Sequence, residues 1–233
     1  MSTSPSTIDA SSIAQINSLA RLNDAQRYLE IGVSTGQNFL KVDVPFKVGV
    51  DPHFHFNYID YQQDNTQLHQ MTSDLYWATV CSNEKFDIIY LDGLHTFNQT
   101  FRDFCSSLAH AHDNTIWLID DTLPIGFFAA SPNLRFSHYS RNLLGIKETF
   151  WMGDVFKVIF AIHDLFPSFS YATLTGHGRT VVWKQKRTNF NPMWNSLKKI
   201  CNMNYFDCLK FKKYLYQRSE SEILSLIHKH FCG

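Results

Sequence analysis

The stretch that decides the fold is residues 27–51, RYLEIGVSTGQNFLKVDVPFKVGVD. It opens with a short apolar strand, Arg27 to Ile31, which runs into a loop that begins at Gly32. A second apolar strand, Phe46 to Val50, ends at Asp51, and the residues between loop and strand can start a helix at Gln37 to Val42. This order is typical of parallel sheets that bind a ligand at the carboxyl ends of their strands.

Two further apolar runs also predict strands that end in acids. Phe86 to Leu91 is followed by Asp92, and Thr115 to Ile119 is followed by Asp120 and Asp121. A helical stretch separates the two runs, and parallel strands need such a crossover. Strands alternating with helices therefore predict a mostly parallel sheet that is covered by helices on both faces.

The last two predicted strands break this alternation. Phe169 to Leu174 and Arg179 to Trp183 are separated only by Thr175-Gly176-His177-Gly178. Such a short connection predicts a hairpin, so the last strand should run antiparallel. The expected fold class is α/β, a Rossmann-like three-layer sandwich.

Composition places the chain among ordinary globular proteins. It has 233 residues, of which 44% are hydrophobic and 18% charged, so collagen, coiled coils and wholly disordered chains are excluded. No run reaches the roughly 18 to 20 apolar residues that cross a bilayer, and the polar start does not resemble a signal peptide. Five cysteines without a C-x-x-C pair indicate reduced thiols, and the expected location is the cytoplasm.

Charge divides the chain unevenly. Residues 1–183 carry 11 basic and 18 acidic side chains, a net charge of −7, whereas residues 184–233 carry 10 basic and 3 acidic ones, a net charge of +7. We therefore expect a sheet domain at 1–184 and a basic helical C-terminal extension at 185–233. The lysines and aromatic residues of the extension resemble a nucleic-acid-binding surface, but the rest of the chain offers little basic surface. We therefore favour packing of the aromatic residues on the domain, and a homodimer contact or binding to an anionic membrane stay as alternatives.

Acidic residues at the strand ends are the main functional signal. Glu30, Asp51, Asp92 and the pair Asp120-Asp121 should gather at one edge of the sheet. Any single one could cap a helix, but together they repel one another unless a cationic or hydroxyl-rich ligand lies among them. Asp51 follows Gly32 by 19 residues, the position of a ribose-binding carboxylate.

The loop after the first strand narrows the choice of cofactor. It reads Glu30-x-Gly32-x-x-x-Gly36 and lacks the G-x-G-x-x-G of dinucleotide sites. An acid just before the first glycine disfavours a pyrophosphate and favours a positive group. An NAD- or nucleotide-sugar-binding enzyme and a non-catalytic binding protein stay as alternatives.

Six segments carry a family resemblance: YLEIGVSTGQNF, VGVDPH, MTSDLYWA, FDIIYLDGLHTFNQTFRDF, WLIDDTLP and WMGDVFK. In this order, over about residues 20–184, they resemble class I S-adenosylmethionine-dependent methyltransferases, in particular a bacterial branch that acts on small molecules. The resemblance implies a seven-stranded sheet with an antiparallel last strand. It also implies S-adenosylmethionine as the cofactor.

The resemblance further implies which residues contact that cofactor. Glu30, Gly32 and Gly36 would line its methionine part, with Ser34 in the same loop, and Asp51 would hold the ribose hydroxyls. The loop with Ser73 and Asp74 would border the adenine, and Asp92 would lie beside the cofactor.

His95 and Asp92 are the candidate catalytic residues. An imidazole just past a strand end could accept the proton of an acceptor hydroxyl, since histidine titrates near neutrality. His95 could instead cap a helix or bond a backbone carbonyl. The other ten histidines are expected at the surface or in loops.

A magnesium ion could assist the same step. Asp92, Asp120 and Asp121 supply oxygen ligands from two adjacent strand ends, and Mg²⁺ lowers the pKa of a bound hydroxyl. Against a metal, Asp121 could cap the next segment and Asp120 could line the cofactor.

The motifs together predict methyl transfer to a hydroxyl group of a small molecule, a sugar, glycan or related metabolite. The segment Ile125 to Arg141 is the candidate lid over that acceptor. Asp154 and Lys157 are three residues apart and could pair on one helix face or touch the substrate.

Overall fold

Eight strands form one mixed sheet in the computed structural model, which describes residues 7–80, 83–147, 150–176 and 178–232. The strands are β1 (Arg27–Ile31), β2 (Phe46–Asp51), β3 (Thr66–Gln70), β4 (Ile88–Leu91), β5 (Ile116–Ile119), β6 (Ser170–Leu174), β7 (Thr180–Trp183) and β8 (Gln217–Arg218). Their order across the sheet is β3-β2-β1-β4-β5-β7-β6-β8. Only β7 runs antiparallel to its neighbours, β5 and β6. The predicted Rossmann-like sheet and its antiparallel hairpin strand are confirmed, and His177 of the hairpin loop lies outside the described residues.

Helices cover both faces of the sheet. They are α1 (Thr7–Leu22), α2 (Ser73–Thr79), α3 (Phe97–Ser107), α4 (Leu134–Leu143), α5 (Phe156–Leu165), α6 (Leu197–Cys201), α7 (Tyr205–Lys210) and α8 (Glu220–Cys232). One hydrophobic core contains side chains of α3 and α5, and the other contains side chains of α1 and α8. The three-layer arrangement follows because every central strand is apolar on both sides. Within the described ranges, no helix combines the length and apolar character that a membrane span requires.

The segment after the glycine loop differs from its prediction. The prediction of a helix that starts at Gln37 is wrong. Only a short 3-10 turn forms there, at Phe39–Lys41. Pro45 follows four residues later, and a proline favours an extended conformation in the residue before it. The chain therefore returns directly into β2.

The C-terminal segment adds the eighth strand, which sequence patterns did not predict. β8 pairs parallel to β6 through Thr173 with Gln217 and Leu174 with Arg218. Two residues are too few to show an alternating pattern, so no periodic signal marks this strand.

Aromatic side chains of the C-terminal segment pack on the domain, as expected. Trp194 is buried against Phe160 and Phe211, with ring centroids 5.0 and 5.2 Å away. Lys198, Lys199 and the lysines at 210, 212 and 213 are exposed. The basic groups are thus solvated, while Trp194 lies in the core and Phe211 packs against it.

Two histidines differ from the expectation that all but His95 lie at the surface or in loops. His163 sits in α5 with 4% exposure, and its Nδ1 lies 2.8 Å from the hydroxyl of Tyr171. Burial lowers its pKa, so a neutral ring fits this apolar layer. His110 is also buried.

The described cysteines agree with a reduced chain. Cys105, Cys201 and Cys208 are free thiols. Cys81 and the side chain of Cys232 lie outside what the structure describes.

Two polar contacts fasten the C-terminal segment to α5. Arg187 donates to the carbonyls of residues 162, 163 and 166, which are the last acceptors of that helix. The buried carboxylate of Asp164 accepts the backbone N–H groups of Met193, Trp194 and Asn195. The loop before α6 is therefore fixed by one side chain.

Replacing Asp164 by Asn should destabilise the protein by about 2–4 kcal/mol, because an amide has one acceptor oxygen and would direct its N–H groups at other donors. Urea unfolding followed by tryptophan fluorescence measures this change. The matched control is Asp113→Asn, which removes an exposed partner of Lys184 and should leave the midpoint unchanged. Equal midpoints for the wild type and Asp164→Asn would contradict the role assigned to Asp164.

Candidate functional site

The loops after β1 and β4 pack directly against each other. Gly32 has a φ of +95°, and a Cβ built on it would lie 2.0 Å from the carbonyl oxygen of Asp92. Only glycine combines this backbone conformation with so close an approach. The packing brings the Gly32 loop and the loop Asp92-Gly93-Leu94-His95 to the same edge of the sheet.

A cavity of about 690 Å³ opens at this edge. Six of the eight residues predicted to contact a cofactor border it: Gly32, Ser34, Asp51, Ser73, Asp74 and Asp92. They come from the ends of β1, β2 and β4 and from the start of α2. Residues that are far apart in sequence thus surround one cleft.

Glu30 and Gly36 do not border this cavity. Glu30 is buried on the opposite face of β1 and accepts a hydrogen bond of 2.7 Å from the hydroxyl of Tyr28, two residues earlier. Burial raises the pKa of Glu30 well above its usual value. A Cβ built on Gly36 would lie 3.0 Å from the ring of Phe56.

Asp51 is held at the mouth of the cavity by the backbone. Its two oxygens accept the N–H groups of Ser34 and His53 at 2.8 and 2.7 Å. Each carboxylate oxygen has a second lone pair that can accept from a ligand hydroxyl.

The far wall of the cavity is built from α2 and α3. Thr72 caps α2 through its side chain, which sets Ser73 and Asp74 at the helix start. Gln99 of α3 donates to the side chains of both residues at 3.1 Å. Sequence reasoning missed Gln99, although it lies inside the segment FDIIYLDGLHTFNQTFRDF, because only the tertiary structure brings it to Asp74, 25 residues earlier.

A second cavity of about 640 Å³ adjoins the first and shares Asp92 and His95 with it. Its walls come from the segments after β5 and before α5 and from the C-terminal segment: Leu123, Pro124, Ile125, Phe150, Trp151, Met152, Tyr205, Cys208, Leu209 and Lys212. Of the lid predicted at 125–141, Ile125 alone borders it. The C-terminal wall was not anticipated.

His95 lies between the two cavities, stacked on Trp151 with 5.3 Å between ring centroids. Its Nδ1 is 2.7 Å from the Trp151 carbonyl oxygen and 2.7 Å from Oδ2 of Asp121. Its Nε2 is 3.5 Å from Oδ1 of Asp92. The ring therefore bridges two carboxylates.

These carboxylates control the charge of His95. Burial lowers its pKa, but the nearby carboxylates of Asp121 and Asp92 outweigh burial and raise the pKa to about 11. The ligand-free site thus holds an imidazolium, which differs from the near-neutral titration predicted from sequence. Burial and the charge of Asp120 raise the pKa of Asp92 to about 7.

The carboxylate of Asp120 is hydrogen-bonded to residues other than His95. Its Oδ2 accepts from the hydroxyl of Tyr90 and from Nε of Arg179, the latter at 3.2 Å. Its Oδ1 accepts the N–H of Asp121 at 2.8 Å. Among the described residues, the atoms that converge in metal-binding geometry belong to Asp92, His95 and Asp121. The metal ligands predicted from the sequence were Asp92, Asp120 and Asp121, so His95 takes the place of Asp120.

Asp121 carries the marks of a functional position. Its backbone adopts a φ of +61°, which is uncommon for residues with a side chain. Its Oδ2 is buried and has no aligned hydrogen bond within the described chain, because the Nδ1–H of His95 can be directed at the Trp151 carbonyl.

Gly153, Asp154 and Lys157 hold the His95 loop in place. A Cβ on Gly153 would lie 1.6 Å from the carbonyl oxygen of His95. Asp154 accepts the N–H of Phe97 at the start of α3 and pairs with Lys157, both at 2.8 Å. Of the two alternatives for Asp154 and Lys157, the pairing forms, although Asp154 precedes α5 and does not share a helix face with Lys157. Neither residue borders the two cavities.

Comparison with known protein families gives one match. Residues 19–122 match the family described as a methyltransferase domain. The matched segment includes Gly32, Asp51, Asp92, His95 and Asp121. A comparison with curated proteins finds no match.

Solved structures share the fold. A Podospora anserina methyltransferase bound to S-adenosylhomocysteine is 17% identical, with 75% of this chain and 78% of that chain covered and a TM-score of 0.56. An O-methyltransferase from Bacillus cereus in complex with S-adenosylhomocysteine is 16% identical (78% and 83% covered, TM-score 0.51). The O-methyltransferase TomG from Streptomyces achromogenes, in complex with S-adenosylmethionine, is 14% identical (76% and 80% covered, TM-score 0.51).

The charge of His95 can be measured directly. In ligand-free protein kept in a chelator, NMR of the ring should show His95 protonated beyond pH 9, because two carboxylates stabilise the imidazolium. Asp121→Asn removes one negative charge and should lower the pKa of His95, while Asp64→Asn in an exposed turn should not change it. A His95 ring that loses its proton below pH 8 in the wild type would contradict this electrostatic assignment.

Proposed function

We propose that the chain is a class I S-adenosylmethionine-dependent methyltransferase that methylates a hydroxyl group of a small molecule, which its match to a methyltransferase domain over residues 19–122 and its fold support. The main support for this proposal is that the two cavities meet at Asp92 and His95. A donor in one cavity and an acceptor in the other would face each other across groups that can take a proton. The Bacillus and Streptomyces proteins that share this fold are O-methyltransferases, which supports a hydroxyl acceptor.

S-adenosylmethionine is proposed to occupy the first cavity. Asp51 would accept the ribose hydroxyls, since both its oxygens are already oriented by backbone N–H groups. Ser73 and Asp74 would border the adenine, and Gly32 permits close approach of the methionine part. The negative charge of Asp92 would attract the positive sulfonium group.

The second cavity is proposed to bind a sugar, glycan or related metabolite. Trp151, Phe150 and Tyr205 offer aromatic surfaces, and Asp92 and Asp121 offer acceptors for hydroxyl groups. This combination suits a ligand with apolar faces and several hydroxyls. The residues of the extension 185–233 that line this cavity would contribute to the choice of acceptor.

In the proposed reaction, the acceptor oxygen attacks the methyl carbon, the carbon–sulfur bond breaks, and the sulfonium becomes a neutral thioether. The hydroxyl proton passes to the pair formed by His95 and Asp92, whose atoms are 3.5 Å apart. Trp151 and Asp121 hold the other side of the imidazole and fix its orientation.

Magnesium fits the same cluster, because the buried Oδ2 of Asp121 lacks an aligned hydrogen bond. Asp92 and Asp121 would hold the ion, whereas Asp120 is committed to Tyr90 and Arg179. When bound, Mg²⁺ would lower the pKa of an acceptor hydroxyl and balance the carboxylates, which leaves His95 neutral. We place the reaction in the cytoplasm, where the free thiols would stay reduced.

Calorimetric titration with S-adenosylhomocysteine tests the cofactor site. Asp51→Ala should weaken binding by about 10- to 100-fold, because it removes the acceptors for two ribose hydroxyls. Asp64→Ala, in an exposed turn, is the control and should bind like the wild type. Unchanged affinity in Asp51→Ala would show that the cofactor does not bind as proposed.

Release of S-adenosylhomocysteine from S-adenosylmethionine, assayed with catechols and methyl glycosides as acceptors, tests the chemical step. His95→Gln should lower kcat by at least about 100-fold and leave cofactor affinity within threefold, because it removes the base while a polar side chain of similar size still borders the first cavity. A chelator should lower the wild-type rate, and added Mg²⁺ should restore it. Full activity in His95→Gln, or in the presence of the chelator, would contradict the base or the metal, respectively.

A further inference from the structure

Helix α4 is turned so that its apolar side faces solvent. Phe136, Tyr139 and Leu143 recur at intervals of three and four residues and are 50%, 70% and 72% exposed. On the opposite side of the helix, Ser137 and Arg141 are buried. Surface helices normally show the reverse arrangement.

The buried polar side of α4 bonds to two neighbouring segments. The hydroxyl of Ser137 donates to the carbonyl of Phe128 at 2.7 Å, and Nη1 of Arg141 donates to the carbonyl of Phe150 at 2.6 Å. These bonds join α4 to the two segments that line the second cavity. These bonds fix the orientation of α4, and this orientation exposes its apolar side chains to solvent.

The apolar stripe continues to the mouth of the second cavity. Phe128 contacts the ring of Phe136, and Phe127 contacts the ring of Phe206 on α7. Ile125 is exposed and also borders the cavity. We define the docking surface as Ile125, Phe127, Phe136, Tyr139, Leu143 and Phe206. Large exposed apolar patches of this kind mark interaction sites.

Exposed basic side chains lie near the docking surface along the chain. Residues 122–147 contain no Asp or Glu, whereas Arg135 and Lys147 are exposed there. Lys212, six residues after Phe206, is exposed at the rim of the second cavity. An apolar patch with a cationic rim matches the surface of an anionic bilayer, which attracts the rim and buries the patch at the level of the headgroups.

We propose that the docking surface binds an anionic lipid bilayer, with the second cavity opening toward the headgroups. A second copy of the chain is a poorer partner, because a twofold contact through α4 would bring the exposed Arg135 and Lys147 of both copies together. An acceptor carried by a lipid would then reach Asp92 and His95 without leaving the membrane. The binding itself does not depend on the proposed reaction.

Vesicle flotation tests this proposal. The full-length wild type should float with vesicles of phosphatidylcholine containing about 30% phosphatidylglycerol, and much less with pure phosphatidylcholine. The double variant Tyr139→Ser/Leu143→Ser should lower the partition coefficient by about tenfold, since it removes exposed apolar area. The matched control is Ile59→Ser, which removes an apolar side chain of 67% exposure outside the docking surface.

A second variant tests the charges. Arg135→Gln/Lys147→Gln should weaken binding to the anionic vesicles and reduce its dependence on salt. The proposal is overturned if the wild type does not float, or if both double variants float as well as Ile59→Ser. It is also overturned if light scattering shows a stable wild-type dimer that Tyr139→Ser/Leu143→Ser dissociates, because the surface would then bind a second copy.

Discussion

The close packing of Gly32 against the carbonyl of Asp92 is the contact on which the rest of the site depends. A side chain at position 32 would collide with the Asp92 backbone, since a Cβ would lie 2.0 Å from its carbonyl oxygen. The contact draws the loops after β1 and β4 together at the edge where β2 and β5 also end. Both cavities follow from this convergence, because parallel strands bring all their carboxyl ends to one edge.

Several carboxylates lie close together at one edge of the sheet and repel one another, and each has partners that offset this repulsion. Asp51 is satisfied by backbone N–H groups, and Asp120 is satisfied by Tyr90 and Arg179. Asp92 and Asp121 are left with His95 as their shared cation. The unequal distribution matters, because a carboxylate with fixed partners orients a ligand, whereas a pair sharing one proton can exchange it.

The C-terminal segment is an integral part of this arrangement. Asp164 and Arg187 fasten it to α5, and β8 extends the sheet beyond β6. Lys157 ties it to the His95 loop as well, since its ammonium group bonds both Asp154 and the carbonyl of Cys201. The wall that faces the second cavity is therefore mechanically connected to the residues at its floor.

The sequence by itself determined the class of fold and most of the first cavity, because both depend on local patterns. Apolar runs ending in acids predict parallel strands, and the glycine loop with Asp51 indicates a nucleoside site. Tertiary structure alone decided the second cavity, the inverted orientation of α4 and the replacement of Asp120 by His95 in the acidic cluster. These features depend on contacts between side chains that are far apart in the sequence, such as the contact of Arg179 with Asp120, 59 residues away. Such contacts leave no periodic signal in the sequence.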